Sequence, residues 1–182
     1  MAEKIKIAQY WGAGCGGCDV ALLDIDAKIL DVHAIAEVVF WPIGFDGKLH
    51  EVEQMPDKSI TVSFYNGAIR NSENEHVAKV LRQKSVVLIS FGSCACFGGT
   101  PGLGNVTNRA EVFQTVYKDT QSTDNKAGTY PQEHTKVPEG ELELPRFYDD
   151  VKTLEEVVDV DYFMPGCPPT TNLIALAVDL VV

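Results

Sequence analysis

The sequence predicts a doubly wound, mostly parallel α/β sheet with one long loop excursion. Strand-like stretches alternate with stretches of helical period along most of the chain. Two runs, Lys4 to Trp11 and Ser85 to Phe91, are apolar enough for strands covered on both faces, as parallel strands are. Glycine or proline punctuation follows each of the main strand candidates.

Each element has its own warrant. KIKIAQYW alternates and then runs apolar, giving a first strand that ends in the glycine-rich loop Gly12 to Cys18. Asp19 is placed as a helix cap, and ALLDIDAKIL continues as one helix with Leu22, Leu23, Ile25, Ile29 and Leu30 on its spacing. Glu37 to Phe40 reads as a second strand before Trp41-Pro42, and Asp46-Gly47-Lys48 as a turn. Ile60 to Tyr65 alternates as a third strand closed by Asn66-Gly67. Ser72 and Glu75 fit a capping box ahead of HVAKVLRQK, whose last turn is basic. SVVLISF is the clearest buried strand and ends at Gly92-Ser93-Cys94. Arg109 to Tyr117 predicts a helix, and Thr120 to Gly140 a long surface excursion suited to a functional or partner-binding role. Val157 to Met164 predicts a further strand, followed by Pro165-Gly166-Cys167-Pro168-Pro169 and a last helix from about Thr170.

The chain has 182 residues, which fits one domain over 1–182. Acidic residues outnumber basic ones 26 to 15, a net charge of −11. That sign opposes nucleic acid phosphates and anionic membrane surfaces, so neither is an expected partner. Apolar residues at 45 % and aromatics at 9 % fit a folded domain rather than a disordered chain. No apolar stretch reaches the ~18 residues that a membrane-spanning helix needs. The start, MAEKIKIAQYWGAG, shows no secretory leader, so a cytoplasmic location is expected. In that reducing compartment the five cysteines would be metal ligands, redox thiols or buried small hydrophobes rather than disulfides.

Their placement narrows the choice. Cys15 and Cys18 follow the first strand, Cys94 and Cys96 follow SVVLISF, and Cys167 follows VDVDYFM. Right-handed crossovers put the C-terminal ends of parallel strands on one edge, where ligands bind. The sulfurs should therefore gather there. Four thiolates converging from glycine-rich loops suit a [4Fe–4S] cluster. Glycines allow close backbone approach, and backbone N–H groups directed at sulfur tune the potential. A thioredoxin-type dithiol using Cys15 and Cys18, a structural zinc site and inert buried thiols also fit parts of the pattern. Inert burial fits Cys96 best.

Cys-Gly-Gly-Cys at 15–18, Gly-Ser-Cys-Ala-Cys-Phe-Gly-Gly at 92–99 and Gly-Cys-Pro-Pro at 166–169 resemble the small subunits of [NiFe] hydrogenases. That family shares its fold with the 20 kDa subunit of Complex I. The three motifs occur in order over nearly the whole chain. YWGAGCGGCD, FWPIGFDGKL and FGSCACFGGTPGL look most like the cytoplasmic F420-non-reducing, methyl-viologen-reducing type. The resemblance implies a flavodoxin-like domain with a proximal [4Fe–4S] cluster on Cys15, Cys18, Cys94 and Cys167, leaving Cys96 a spectator. It implies a separate large subunit that holds the nickel–iron centre, so this chain would carry electrons without being catalytic alone. The next carrier would be an iron–sulfur or flavin protein, with heterodisulfide reductase a candidate. The alternatives are a Complex I-like quinone-reductase small subunit, against which the two glycines between the first cysteines speak, and a thiol–disulfide oxidoreductase using Cys15 and Cys18.

Two departures from the family stand out. Its small subunits often continue into a second cysteine-rich part. With cysteines for one cluster, the chain is either a short-form subunit or lacks a cluster-binding tail, and the apolar, uncapped ending at Val182 favours the missing tail. Asn66 stands where the family often has an acidic residue, so no carboxylate role is assumed there. His33, His50, His76 and His134 read as surface or helix positions, Asp24 and Asp26 as a solvated helix face, and Tyr10 and Trp11 as core. No P-loop or GxGxxG is present, so nucleotide binding is not expected.

Overall fold

The computed structural model describes residues 4–181, and the sequence-based expectations for the extreme N-terminus and for Val182 lie in part outside them. Nine strands are assigned among those residues: β1 Ile5–Trp11, β2 Ala36–Phe40, β3 Ile60–Asn66, β4 Ile69–Asn71, β5 Ser85–Phe91, β6 His134–Val137, β7 Gly140–Glu143, β8 Phe147–Lys152 and β9 Tyr162–Met164. The α-helices are α1 Gly17–Leu23, α2 Lys28–Ile35, α3 Leu49–Gln54, α4 Ser72–Lys84, α5 Ser93–Phe97, α6 Gly99–Gly102, α7 Arg109–Gln114 and α8 Thr171–Val181. None is long and apolar enough to cross a membrane.

Five strands form the central sheet in the order β2-β1-β3-β5-β9, with every neighbouring pair parallel. This is the doubly wound topology, with its switch point between β1 and β3. Alternation sends the side chains to two cores. Ala8 and Tyr10 of β1 and Leu88 of β5 face the layer that holds Val52 of α3 and Val77, Ala78 and Leu81 of α4. Val62 of β3 and Ile89 and Phe91 of β5 face Ala21, Ile25 and Ile174 of α1 and α8 and the turn after α1. Both faces are buried, which is why these strands read as continuous apolar runs.

Several elements differ from the sequence reading. The single helix expected through ALLDIDAKIL is two, because Asp26 adopts a left-handed conformation at φ 53° between α1 and α2. Asp19 does not cap α1. Gly16 holds the cap position, and Asp19 lies buried in the first turn. The turn placed at Asp46-Gly47-Lys48 sits earlier, over 42–44, closed by the Trp41–Phe45 bridge, and α3 then starts at Leu49. Asn71 rather than Ser72 caps α4, accepting from the Asn74 N–H at 2.8 Å. Ser72 Oγ instead accepts from the Arg146 N–H at 3.0 Å. The strand expected over Val157 to Met164 shortens to β9, because Leu154, Val157 and Val158 pack on the core as a turn. Within the excursion, α7 runs into a π-helical turn, β6 and β7 form a hairpin, and Phe113 packs against Tyr117, Tyr130 and Phe147. The four histidines are not buried, and Asp24 and Asp26 are exposed. Tyr10 is core, whereas Trp11 is 39 % exposed.

Candidate metal centre

Strand register positions the cysteines. Trp11 pairs with Asn66, Asn66 with Phe91, and Phe91 with Met164, so four strand ends stand in one lateral row. Three of the segments leaving that row carry cysteine. Cys15 lies in the loop after β1, Cys18 in the first turn of α1, Cys94 in α5 and Cys167 between β9 and α8. All four line one small cavity of about 60 Å³ with Asn66, Gly67, Ser93 and Pro168. Cys15 and Cys167 are exposed, while Cys18 and Cys94 are half-buried. Cys96 lines no part of it. Its thiol is buried and donates to the Ser90 carbonyl at 3.3 Å while Ser90 Oγ donates to it at 3.4 Å.

The backbone is shaped around the sulfurs. Gly92 sits at φ 84°, and a Cβ there would lie 2.3 Å from Cys18 Sγ. At Gly99, φ 50°, a Cβ would lie 2.8 Å from Cys94 Sγ. Only glycine supplies both the left-handed conformation and the space. Donors also face sulfur: the Gly17 N–H donates to Cys15 Sγ at 3.4 Å, and the Thr100 N–H bonds to Cys94. Among the described residues, no group of three or more His, Cys, Asp or Glu side chains is set to hold a metal ion. The four thiols ring a cavity instead.

Electrostatics set the chemistry of this cavity. Burial, then the neighbouring Cys94, Asp19, Cys15 and Cys167, pushes the Cys18 thiol up to about 12. Burial also raises Cys94, opposed by the Thr100 N–H. Burial and neighbouring sulfurs thus disfavour the thiolate form at Cys18 and Cys94 unless a cation offsets the charge. A polynuclear iron group would supply that charge, and four thiols around one cavity with glycine-cleared walls and backbone donors suit such a group.

Three neighbours of the cavity were not assigned to it from sequence. Trp11 lies against the cysteine loop, with positions for a Cβ at Gly14 and Gly16 3.4 and 3.3 Å from its ring. Asn66 lines the wall, and its side chain reaches the buried Asp19. Asp19 directly follows Cys18, which was the one available signal, but its partners lie on β1, on β3 and just after β2.

A doubly wound sheet whose C-terminal edge gathers four thiols around one cavity defines an α/β thiol-site domain. The chain belongs to the family of the NADH ubiquinone oxidoreductase, 20 Kd subunit, which matches residues 15–180. An F420-non-reducing hydrogenase iron-sulfur subunit of Archaeoglobus profundus is 43 % identical over 179 residues, 98 % of this chain and 56 % of the relative. The delta subunit of the NAD-reducing hydrogenase HoxS of Cupriavidus necator is 30 % identical over 176 residues, 97 % of this chain and 78 % of the relative. A crystal structure of NAD+-reducing [NiFe]-hydrogenase in the H2-reduced state matches with a TM-score of 0.78 at 28 % identity, covering 93 % of this chain and 86 % of the other. The chain spans about half the length of the F420-non-reducing relatives it matches.

Proposed function

We propose that this chain is the electron-transfer small subunit of a cytoplasmic [NiFe] hydrogenase, holding one proximal [4Fe–4S] cluster on Cys15, Cys18, Cys94 and Cys167. The observation that carries the reading is the convergence of these four thiols, from three strand ends, on one cavity. The names of the relatives, both hydrogenase subunits, support it. The cluster supplies a one-electron store between the nickel–iron site of a large subunit and a downstream iron–sulfur or flavin carrier, with heterodisulfide reductase a candidate.

The chain's own residues do the rest. The four thiols lose their protons on loading, and the exposed Cys15 and Cys167 lie on the side open to solvent or a partner. Asn66, Gly67, Ser93 and Pro168 line the cavity with them. Trp11, Phe97, Leu103 and Val106 are exposed around or just after the cysteine segments, at 39, 69, 67 and 86 %. Exposed apolar side chains of this kind suit contact with a partner subunit. The family match itself favours a second reading, a Complex I-type quinone-reductase subunit.

The test is metal analysis and absorption on anaerobically purified protein with whatever co-purifies. A broad band that bleaches on reduction, with about four irons per chain, is expected. Nickel in the complex favours the hydrogenase reading; iron without nickel favours the Complex I-type one. An iron-free chain from an intact complex overturns the cluster. Replacing Cys15, Cys18, Cys94 or Cys167 by Ser should lose most of the iron, whereas Cys96→Ser should keep it. Iron lost in Cys96→Ser and kept in Cys94→Ser would refute the ligand set.

A further inference from the structure

Asp19 is 2 % exposed and directly follows a proposed cluster ligand. Its Oδ1 accepts from Trp41 Nε1 at 2.8 Å and from Gln9 Nε2 at 3.2 Å. Its Oδ2 accepts from Asn66 Nδ2 at 2.9 Å. An indole N–H can only donate, and both amides present their NH2 groups here. Three donors and no acceptor thus face the side chain, hydrogen bonds that suit a carboxylate. Among the described residues, none of the ion pairs includes Asp19, so dipoles hold the charge without neutralising it.

The donors Gln9 and Asn66 come from β1 and β3, and Trp41 directly follows β2. The carboxylate therefore ties the first turn of α1, and with it the Cys15–Cys18 loop, to β1, to β3 and to the residue after β2. One donor, Asn66, also forms a wall of the thiol cavity. Asp19 directly follows Cys18 in the chain, which places its carboxylate beside the cavity.

We propose that Asp19 is a positioning residue that fixes the first cysteine pair and, through its uncompensated charge, lowers the reduction potential of the iron–sulfur group. An electron entering the cavity meets a buried anion that is not paired with a cation. In a low-dielectric site such a charge acts with little screening. The inference rests on the cluster reading above.

The experiment uses the anaerobically purified complex in three forms: wild type, Asp19→Asn, and the exchange Asp19→Asn with Asn66→Asp. Iron per chain and the midpoint potential are measured on each. In Asp19→Asn the charge is gone, and Asn66 can turn its amide over to accept, so iron should match wild type while the potential shifts positive. In the exchange, the amide at position 19 still accepts from Trp41 and Gln9 and donates to the carboxylate at position 66. The same three bonds survive and the charge returns, so the potential should move back towards wild type. An unchanged potential at full iron in Asp19→Asn overturns the proposal. So does iron lost from Asp19→Asn, which would make Asp19 structural only, or an exchange variant whose potential stays at the single-variant value. Wild type without iron would instead sink the cluster reading, so the two failures are distinguishable.

Discussion

A single methyl group is enough to disturb the thiol cavity at Gly92. Its φ of 84° costs an L side chain ~1–3 kcal/mol before any contact is counted. A Cβ there would also lie 2.3 Å from Cys18 Sγ, so α1 or the sulfur must move. Gly92→Ala should therefore lower the melting temperature and reduce iron per chain. Full iron in that variant would refute the described packing of Cys18. The glycines around the cysteines were legible in the sequence because their role is local. Asp19 was not. A carboxylate at a helix start suits a cap, and nothing local reveals donors at Gln9, Trp41 and Asn66 that only the folded sheet brings together. Asn71 took the α4 cap from Ser72 for a related reason, since the Ser72 hydroxyl is engaged by Arg146, distant in sequence.

Among the elements, β9 is short and lies at the sheet edge, yet it leads to Cys167. Its anchor is Asp161, whose Oδ2 accepts from the Leu88 N–H at 2.7 Å and from Arg82 at 2.5 Å. Burial pushes this carboxyl up, but the Leu88 N–H and the Arg82 guanidinium outweigh it and hold the group below its ordinary value. A depressed folded value stabilises the fold above the unfolded value of about 3.9, and that contribution is lost as pH falls through the folded value. Asp161→Asn should melt below wild type at neutral pH, and the gap should close on acidification below about pH 4. A gap that persists in acid would show that the charge is not what anchors β9. The sequence overextended this strand because Val157, Val158 and Val160 are as apolar as strand residues. They pack on the core in and just after a turn, with Thr153 N–H and Oγ1 both donating to Glu156. Periodicity reports burial and cannot say which backbone delivers it. The split between α1 and α2 escaped for the same reason, since the apolar spacing continues across Asp26.

For the whole molecule, β1, β3 and β5 were legible because each is covered on both faces and reads as an apolar run. The meeting of the cysteines was legible from topology alone, since parallel strands share one C-terminal edge. The pairing of β4 with β8 and the packing within the excursion were not, because they depend on contacts between distant segments such as Arg70 over the Phe147 ring, 4.4 Å to its centroid. The proposed group, held by residues from 15 to 167, would join nearly the full length of the chain. A ligand bound only by the folded state stabilises that state as a whole. Removing iron anaerobically with a chelator should lower the midpoint of global unfolding, and loss of iron with no change in melting would argue against this linkage.

The lateral row Trp11–Asn66–Phe91–Met164 divides the molecule into two unequal margins. On the cysteine side, each thiol-bearing segment has only two or three residues between its strand end and its first cavity thiol. Inserting one residue there would swing a sulfur out of reach. At the opposite margin α2 runs directly into β2 and α4 into β5, while five residues join α3 to β3. The count of residues is therefore held at both margins except before β3, so lineages of this fold should vary in length between α3 and β3 while the cysteine side keeps count.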